Sequence, residues 1–212
     1  STASRSPISA SRQNKKGAVT DLSVKAGFEL DFTHTALNDL LQGLFFADMR
    51  KKAELLVSAV TATGFTVAGN SKIKANDIVL ASGFTTPSLN NSYVVTGATA
   101  TEIAVAGVTQ KAEKGTVQVV GHSFGAGDLK FVVDNKIYAI QSTAKNLTEL
   151  GLIEGEWIFV GGDNANEQFA NVKPFYARVE SVTANKITFD NGTFPDNLAT
   201  DNGAGKAIKV FV

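Results

Sequence analysis

Apolar and polar residues alternate without interruption from Leu22 to Phe32. Leu22, Val24, Ala26, Phe28, Leu30 and Phe32 share one face, and Ser23, Lys25, Gly27, Glu29 and Asp31 share the other. A period of two held over that length predicts a half-buried strand. At about 3.3 Å per residue it would span roughly 36 Å, longer than most strands in globular domains. The period then changes. Leu37, Leu40, Leu41, Leu44 and Phe45 recur at helical spacing, one apolar stripe of an amphipathic helix. Thr35 suits its N-cap, Asp39 its first turn, and Arg50, Lys51 and Lys52 its last, where cations complement the dipole. Phe46 projects opposite the stripe and is either an ordinary exposed aromatic or a contact with a second subunit.

A further β run covers 53–61 (AELLVSAVT), and a pattern then occurs twice. IKANDIVLASG (73–83) followed by YVVTGATATEIAVAG (93–107) is matched by LIEGEWIFVGG (152–162) followed by FYARVESVTANKITFD (175–190). Each copy has an acid-bearing turn, an apolar strand at Ile78 or Ile158, a polar loop, and a strand turning through Thr-Ala-Thr or Thr-Ala-Asn. The isoleucines lie 80 residues apart and the Thr-Ala turns 84. A solenoid needs at least about three repeats, so two copies fit a pair of small β-barrel modules, or a chance likeness between Thr- and Val-rich strands. Between the copies, 128–140 predicts a hairpin around Asp134-Asn135, and 146–151 a single helical turn with Asn146 as cap and Gly151 as stop. The last residues, KAIKVFV, read as a strand that joins a sheet late or is followed by more chain.

Composition narrows the chemistry. Twenty basic and twenty acidic residues cancel, which argues against a domain that grips nucleic acid or an acidic membrane. No cysteine and only His34 and His122 leave little for disulfides, thiolate chemistry or metal cages. No apolar run reaches the roughly 18 residues of a membrane span, and a soluble protein folded in the cytoplasm is expected. Residues 1–17 carry Arg5, Arg12, Lys15 and Lys16 with almost no large apolar side chain, which predicts an arm: a frayed terminus, or one ordered by a neighbouring subunit.

Candidate sites for catalysis are weak. His122 and Ser123 are neighbours on a strand and so face opposite ways, and no acid is expected to orient the histidine. The 161–167 loop (GGDNANE) offers oxygen ligands without the calcium-loop order, so a polar hairpin loop is expected. GAGD (125–128) and GAGK (203–206) lack the phosphate-loop signature. Glu29 and Asp31, about 7 Å apart on one strand face, read as a solvated surface. No enzyme and no cofactor are expected. Loops 84–92 and 163–174, with Trp157, Phe169 and Tyr176 as aromatic platforms, keep open a surface-binding or adhesion module for carbohydrate or a receptor.

SRQNKKGAV (11–19), GFELDFTHTALNDLLQGLFFAD (27–48) and TGATATEIAV (96–105) together resemble the major tail tube protein of long non-contractile-tailed bacteriophages. The alternating strand leading into Leu-Leu-x-Gly-Leu-Phe-Phe is the most specific of these segments, and Trp-Ile-x-Val-Gly-Gly is similar to others in the group. The resemblance implies a mainly β (α+β) fold: a β-sandwich tube core, one flanking helix and two small inserted β-barrel-like modules. It implies an arm at 1–17 and a core at 18–61, completed by about 191–212 and by strands beyond Val212. The modules would then occupy 62–118 and 119–190. It further implies a virion protein, made in the host cytoplasm, whose hexameric rings stack into a tail tube with other tail proteins. Arg5, Arg12, Lys15, Lys16 and Phe46 would make inter-subunit contacts. Ser23, Lys25, Glu29 and Asp31 would face the lumen, where carboxylates repel double-stranded DNA passing without specific binding.

Overall fold

The computed structural model describes residues 2–3, 18–19, 37, 41, 54–190, 192, 194 and 198–212. The expected 22–32 strand, with Ser23, Lys25, Glu29 and Asp31, lies outside the described residues, as do Arg5, Arg12, Lys15, Lys16 and Phe46. The β-sandwich core expected there falls with them. Leu37 and Leu41, four apart on the predicted stripe, are helical. Thr2–Ala3 (β1) pairs antiparallel with Ala18–Val19 (β2). The expected arm of 1–17 thus has Thr2 and Ala3 in a ladder with the residues that follow it.

The chain divides into one unit at 1–50 and a second at 51–212. The second is mainly β. Its first six strands are Glu54–Val60 (β3), Gly64–Val67 (β4), Asp77–Ser82 (β5), Ser92–Ala98 (β6), Glu102–Val105 (β7) and Gly115–Ser123 (β8). They run in the order β3-β4-β7-β6-β5-β8, and β8 returns to β3, with Glu54 opposite Gln118 and Val57 opposite Gly115. The result is a closed antiparallel barrel, which has no free edge along its closing strands. Alternate residues fill it: Val57, Phe65, Val79, Val95, Ile103 and Val117 are buried in one cluster.

Six more strands follow: Leu129–Asp134 (β9), Ile137–Ser142 (β10), Trp157–Val160 (β11), Phe175–Val182 (β12), Lys186–Phe189 (β13) and Lys209–Phe211 (β14). Their order, β9-β10-β13-β12-β11-β14, repeats that of the barrel rank for rank. A backbone bridge between Phe131 and Asp201 ties β9 to the segment before β14, as Val60 and Lys111 are bridged in the first barrel. Phe131 centres the second core, its ring 5.6–6.2 Å from those of Tyr138, Phe169, Phe175 and Phe194.

The likeness extends to single hydrogen bonds. Asp77 accepts from the Lys74 amide at 2.9 Å, and Glu156 from the Ile153 amide at 2.8 Å. Asn76 and Gly155, both at positive φ, donate to the carbonyls of Val95 and Val179. Thr99 and Thr183 each close a turn by exchanging side-chain and backbone bonds with the residue three further on. Both middle strands carry a register shift at the same place, between Val95 and Gly97 and between Val179 and Ser181. Duplication therefore explains the pattern better than chance.

Three boundaries differ from those expected. β3 belongs to the first barrel and not to a core ending at 61, because its ladder partners are β4 and β8. β14, expected to complete the core, sits between β8 and β11, so both its edges are occupied within the 51–212 unit. The hairpin expected around Asp134-Asn135 turns at Asn135 and Lys136, both at positive φ as a two-residue primed turn requires.

Gly64 tests the closure. A Cβ there would overlap the Ile103 carbonyl oxygen across the β4–β7 ladder, whereas Gly69, also in the first barrel, opens onto free space at φ 70°. Gly64→Ala is expected to destabilise by about 2–4 kcal/mol in urea unfolding and Gly69→Ala by about 1 kcal/mol; equal losses would show that the close approach is not essential.

Candidate interaction surface

Strand β8 is where the barrels meet. One of its edges pairs with β5 throughout. The other edge is divided: 115–118 close the barrel onto β3, and 121–123 pair with β14, Val210 opposite His122 and Phe211 opposite Gly121. The Val212 amide adds a bond to the Val120 carbonyl at 2.9 Å. A Cβ at position 121 would overlap the Val210 carbonyl, so this junction needs glycine.

Side chains lock the same place. His122 Nδ1 lies 3.1 Å from Asp77 Oδ1, both largely buried, and the imidazole meets Phe124 edge-on at 4.9 Å. This corrects the expectation that no acid orients His122: Asp77 does so from 45 residues away, across the β5–β8 ladder. Ser123 is not recruited to it; its backbone amide binds the Asn76 carbonyl. Ile78 is 2% exposed yet belongs to neither core cluster, which marks it as a seam residue. On the rim Glu149 lies 3.5 Å from both Lys74 of the first barrel and Lys145 of the second. The positive charges of Lys74 and then Lys145 hold its carboxyl below the usual value. Glu149 sits in the 3-10 turn Leu147–Leu150, whose expected cap holds: Asn146 accepts from the Thr148 amide at 3.1 Å, and Gly151 has φ 68°.

An aromatic face covers the outside of the second barrel. Tyr176, Phe159 and Phe211 stand directly opposite one another across β12, β11 and β14, with centroids 4.8 and 6.1 Å apart along the row. Trp157 and Arg178 form the next pair along. Trp157 is 59% and Tyr176 66% exposed. Burying such side chains is worth about 1.5–3 kcal/mol each, a gain this face leaves unrealised. Two ion pairs border it, Arg178 with Asp190 and Lys209 with Glu167, each at 2.7 Å. Burial opposes ionisation of Glu167, but the Lys209 hydrogen bond and charge outweigh it and lower the pKa. Phe169, the third expected platform, is 6% exposed and packs on Phe131 instead.

The remaining candidates resolve as turns. In the 161–167 loop Glu167 also accepts from the Asp163 amide and Asn164 from the Asn166 amide, so these oxygens serve the loop itself. GAGD and GAGK face each other through a bond from the Gly127 amide to the Lys206 carbonyl, and Lys206 Nζ binds the Ala165 carbonyl. Among the described residues no three His, Asp or Glu side chains gather as for a metal, and no helix is long and apolar enough to cross a membrane. Compared with protein-family models, curated proteins and solved structures, the chain matches none.

Two measurements probe the seam. His122→Ala leaves Asp77 Oδ1 without its imidazole partner and is expected to cost about 1–3 kcal/mol in chemical unfolding; no loss would mean that backbone pairing alone holds the barrels. Glu149 titrates low when folded, so its contribution is full above the unfolded value of about 4.3 and is lost as pH falls through the depressed folded value. Lys74→Met should raise the Glu149 midpoint in a carboxyl NMR titration more than Lys145→Met does; the reverse order would remove the cross-seam pair.

Proposed function

We propose that this chain is a structural, non-enzymatic subunit of a phage tail tube, self-assembling into stacked rings through which DNA is delivered, with 51–212 as its decorating part. The observation that carries this reading is the division into a short 1–50 unit and a separately cored pair of duplicated barrels. The resemblance likewise implies a tube subunit bearing two β modules, although it placed 54–61 and 191–212 in the tube core and not, as here, with the barrels. The tube-forming segment would then be 18–53, with the wet strand face of Ser23, Lys25, Glu29 and Asp31 toward the lumen and the β-sandwich built between neighbours. A first barrel closed by β3 and β8, and an outer strand β9 bridged to Asp201, suit a decoration exposed outside a polymer, because they limit the opportunity for stray strand pairing. Rings require two different faces per subunit, and stacking a third. Arg5, Arg12, Lys15, Lys16 and Phe46 are assigned to those contacts.

The exposed Trp157 and Tyr176 support a second reading, a β-rich adhesion module that recognises carbohydrate or a receptor. Negative-stain microscopy of the purified chain at high concentration separates the two. Rings or tubes of uniform bore are expected, and deletion of 1–16 is expected to abolish stacking without changing the melting of the barrels. Discrete monomers that retain glycans would favour the adhesion module.

A further inference from the structure

We infer that the aromatic face of the second barrel docks a second copy of this chain, face to face. The argument rests on the duplication and not on the tube. The shared hydrogen bonds align Asp77 with Glu156 and Val95 with Val179. Ile78 then corresponds to Trp157, Leu80 to Phe159 and Ser92 to Tyr176, which corrects by one residue the match of Ile78 to Ile158 expected from the 80-residue spacing. The strand registers agree: Ile78 opposite Val94 and Leu80 opposite Ser92, as Trp157 is opposite Arg178 and Phe159 opposite Tyr176. At the first of these positions the barrels differ sharply in exposure. Ile78 is 2% exposed at the seam, while Trp157 is 59% exposed.

In the first barrel Leu80, 42% exposed, and Ser92 are open to water as well, so only the first position is covered there; an exposed face is expected to stay polar in its duplicate. This one instead carries a larger aromatic at all three positions, Trp for Ile, Phe for Leu and Tyr for Ser. Such residues are the anchors enriched in buried protein contacts. The face is also continuous with an existing interface, since Phe211 stands opposite Phe159 on one side and Gly121 of the seam on the other.

The occupant follows from the charges. Arg178 with Asp190 and Lys209 with Glu167 place both signs beside the aromatic row, so the patch is locally balanced, and the chain as a whole has zero net charge. A strongly charged partner gains nothing from such a rim. A second copy related by a twofold axis brings the same row of rings and the same balanced rim, which is the self-complementarity an isologous contact requires.

Trp157 is the chain's single tryptophan, so it reports on the face directly. Acrylamide quenching of the full-length chain is expected to fall as protein concentration rises, with a blue shift in emission. Tyr176→Ser keeps the reporter and, as the loss of one interface anchor, should move the curve to about tenfold higher concentration or beyond. Arg178→Glu should move it in the same direction, and Leu56→Ser, at an exposed site on the first barrel, should leave it unchanged. Protection of Trp157 in preparations that show no rings supports this inference while sinking the tube reading. Equal quenching at every concentration, or protection that appears only on adding oligosaccharide, overturns it.

Discussion

A β-strand has two hydrogen-bonding edges, and in β8 both are fully used, one of them twice. Its residues 115–118 close the first barrel, while 121–123 give the same edge to β14 of the second. Between these stretches the β5–β8 register steps from Val119 to Gly121, and this bulge at Val120, whose carbonyl accepts from Val212, lets the strand leave one barrel wall and enter the junction. Everything at the seam follows from that division. The bare Gly121 admits the Val210 carbonyl, His122 is brought beside Asp77, and the second core is tied to the first through backbone bonds and not merely through a linker.

The two cores reach the same topology with different materials. The first is filled mainly by Val and Ile around Phe65, whose ring contacts Phe84 and Tyr93. The second is a Phe cluster around Phe131. What stays constant is the backbone chemistry at the turns, where an acid receives an amide three residues earlier and a Thr closes the tight corner. Packing tolerates exchange of apolar residues of suitable volume, whereas a turn that needs positive φ and a specific acceptor tolerates little. Buried polar groups obey the same discipline: Asp201 accepts from the amides of Asn171 and Gly203 at the point where its own backbone bridges to Phe131.

This contrast explains what could be read from the sequence. The acid turns and the Thr corners are conspicuous motifs, so the repeat was legible, together with the Asn146 cap and the strands around Ile78 and Ile158. The hairpin 54–67 is the counterpart of 129–142, yet ELLVSAV and GFTV bear no likeness to LKFVVD and IYAIQS. Alternation there specifies a buried face but no residue identity, and so both hairpins fell outside the repeat. The Asp77–His122 pair was hidden for another reason, because sequence neighbours of His122 say nothing about a partner delivered by the ladder. Phe169 looked like a platform because it lies in a polar loop; the loop folds inward to place it on Phe131.

Duplication also creates an asymmetry that neither barrel has alone. The two units are joined through equivalent strands, β8 and β14, yet corresponding positions beside that junction are not equally covered. Here Ile78 lies covered while Trp157, Phe159 and Tyr176 line the open counterpart. Conformational strain does not account for them: they sit on regular β11 and β12 ladders, and Phe159 stacks between its neighbours in an ordinary cross-strand row. Nor do they stabilise the barrel interior, which is filled by Ile158, Val160, Ala177 and Val179 pointing the other way. An aromatic row that leaves Trp157 and Tyr176 largely in water gains little of their burial for its own fold and is best understood as an unfinished interface.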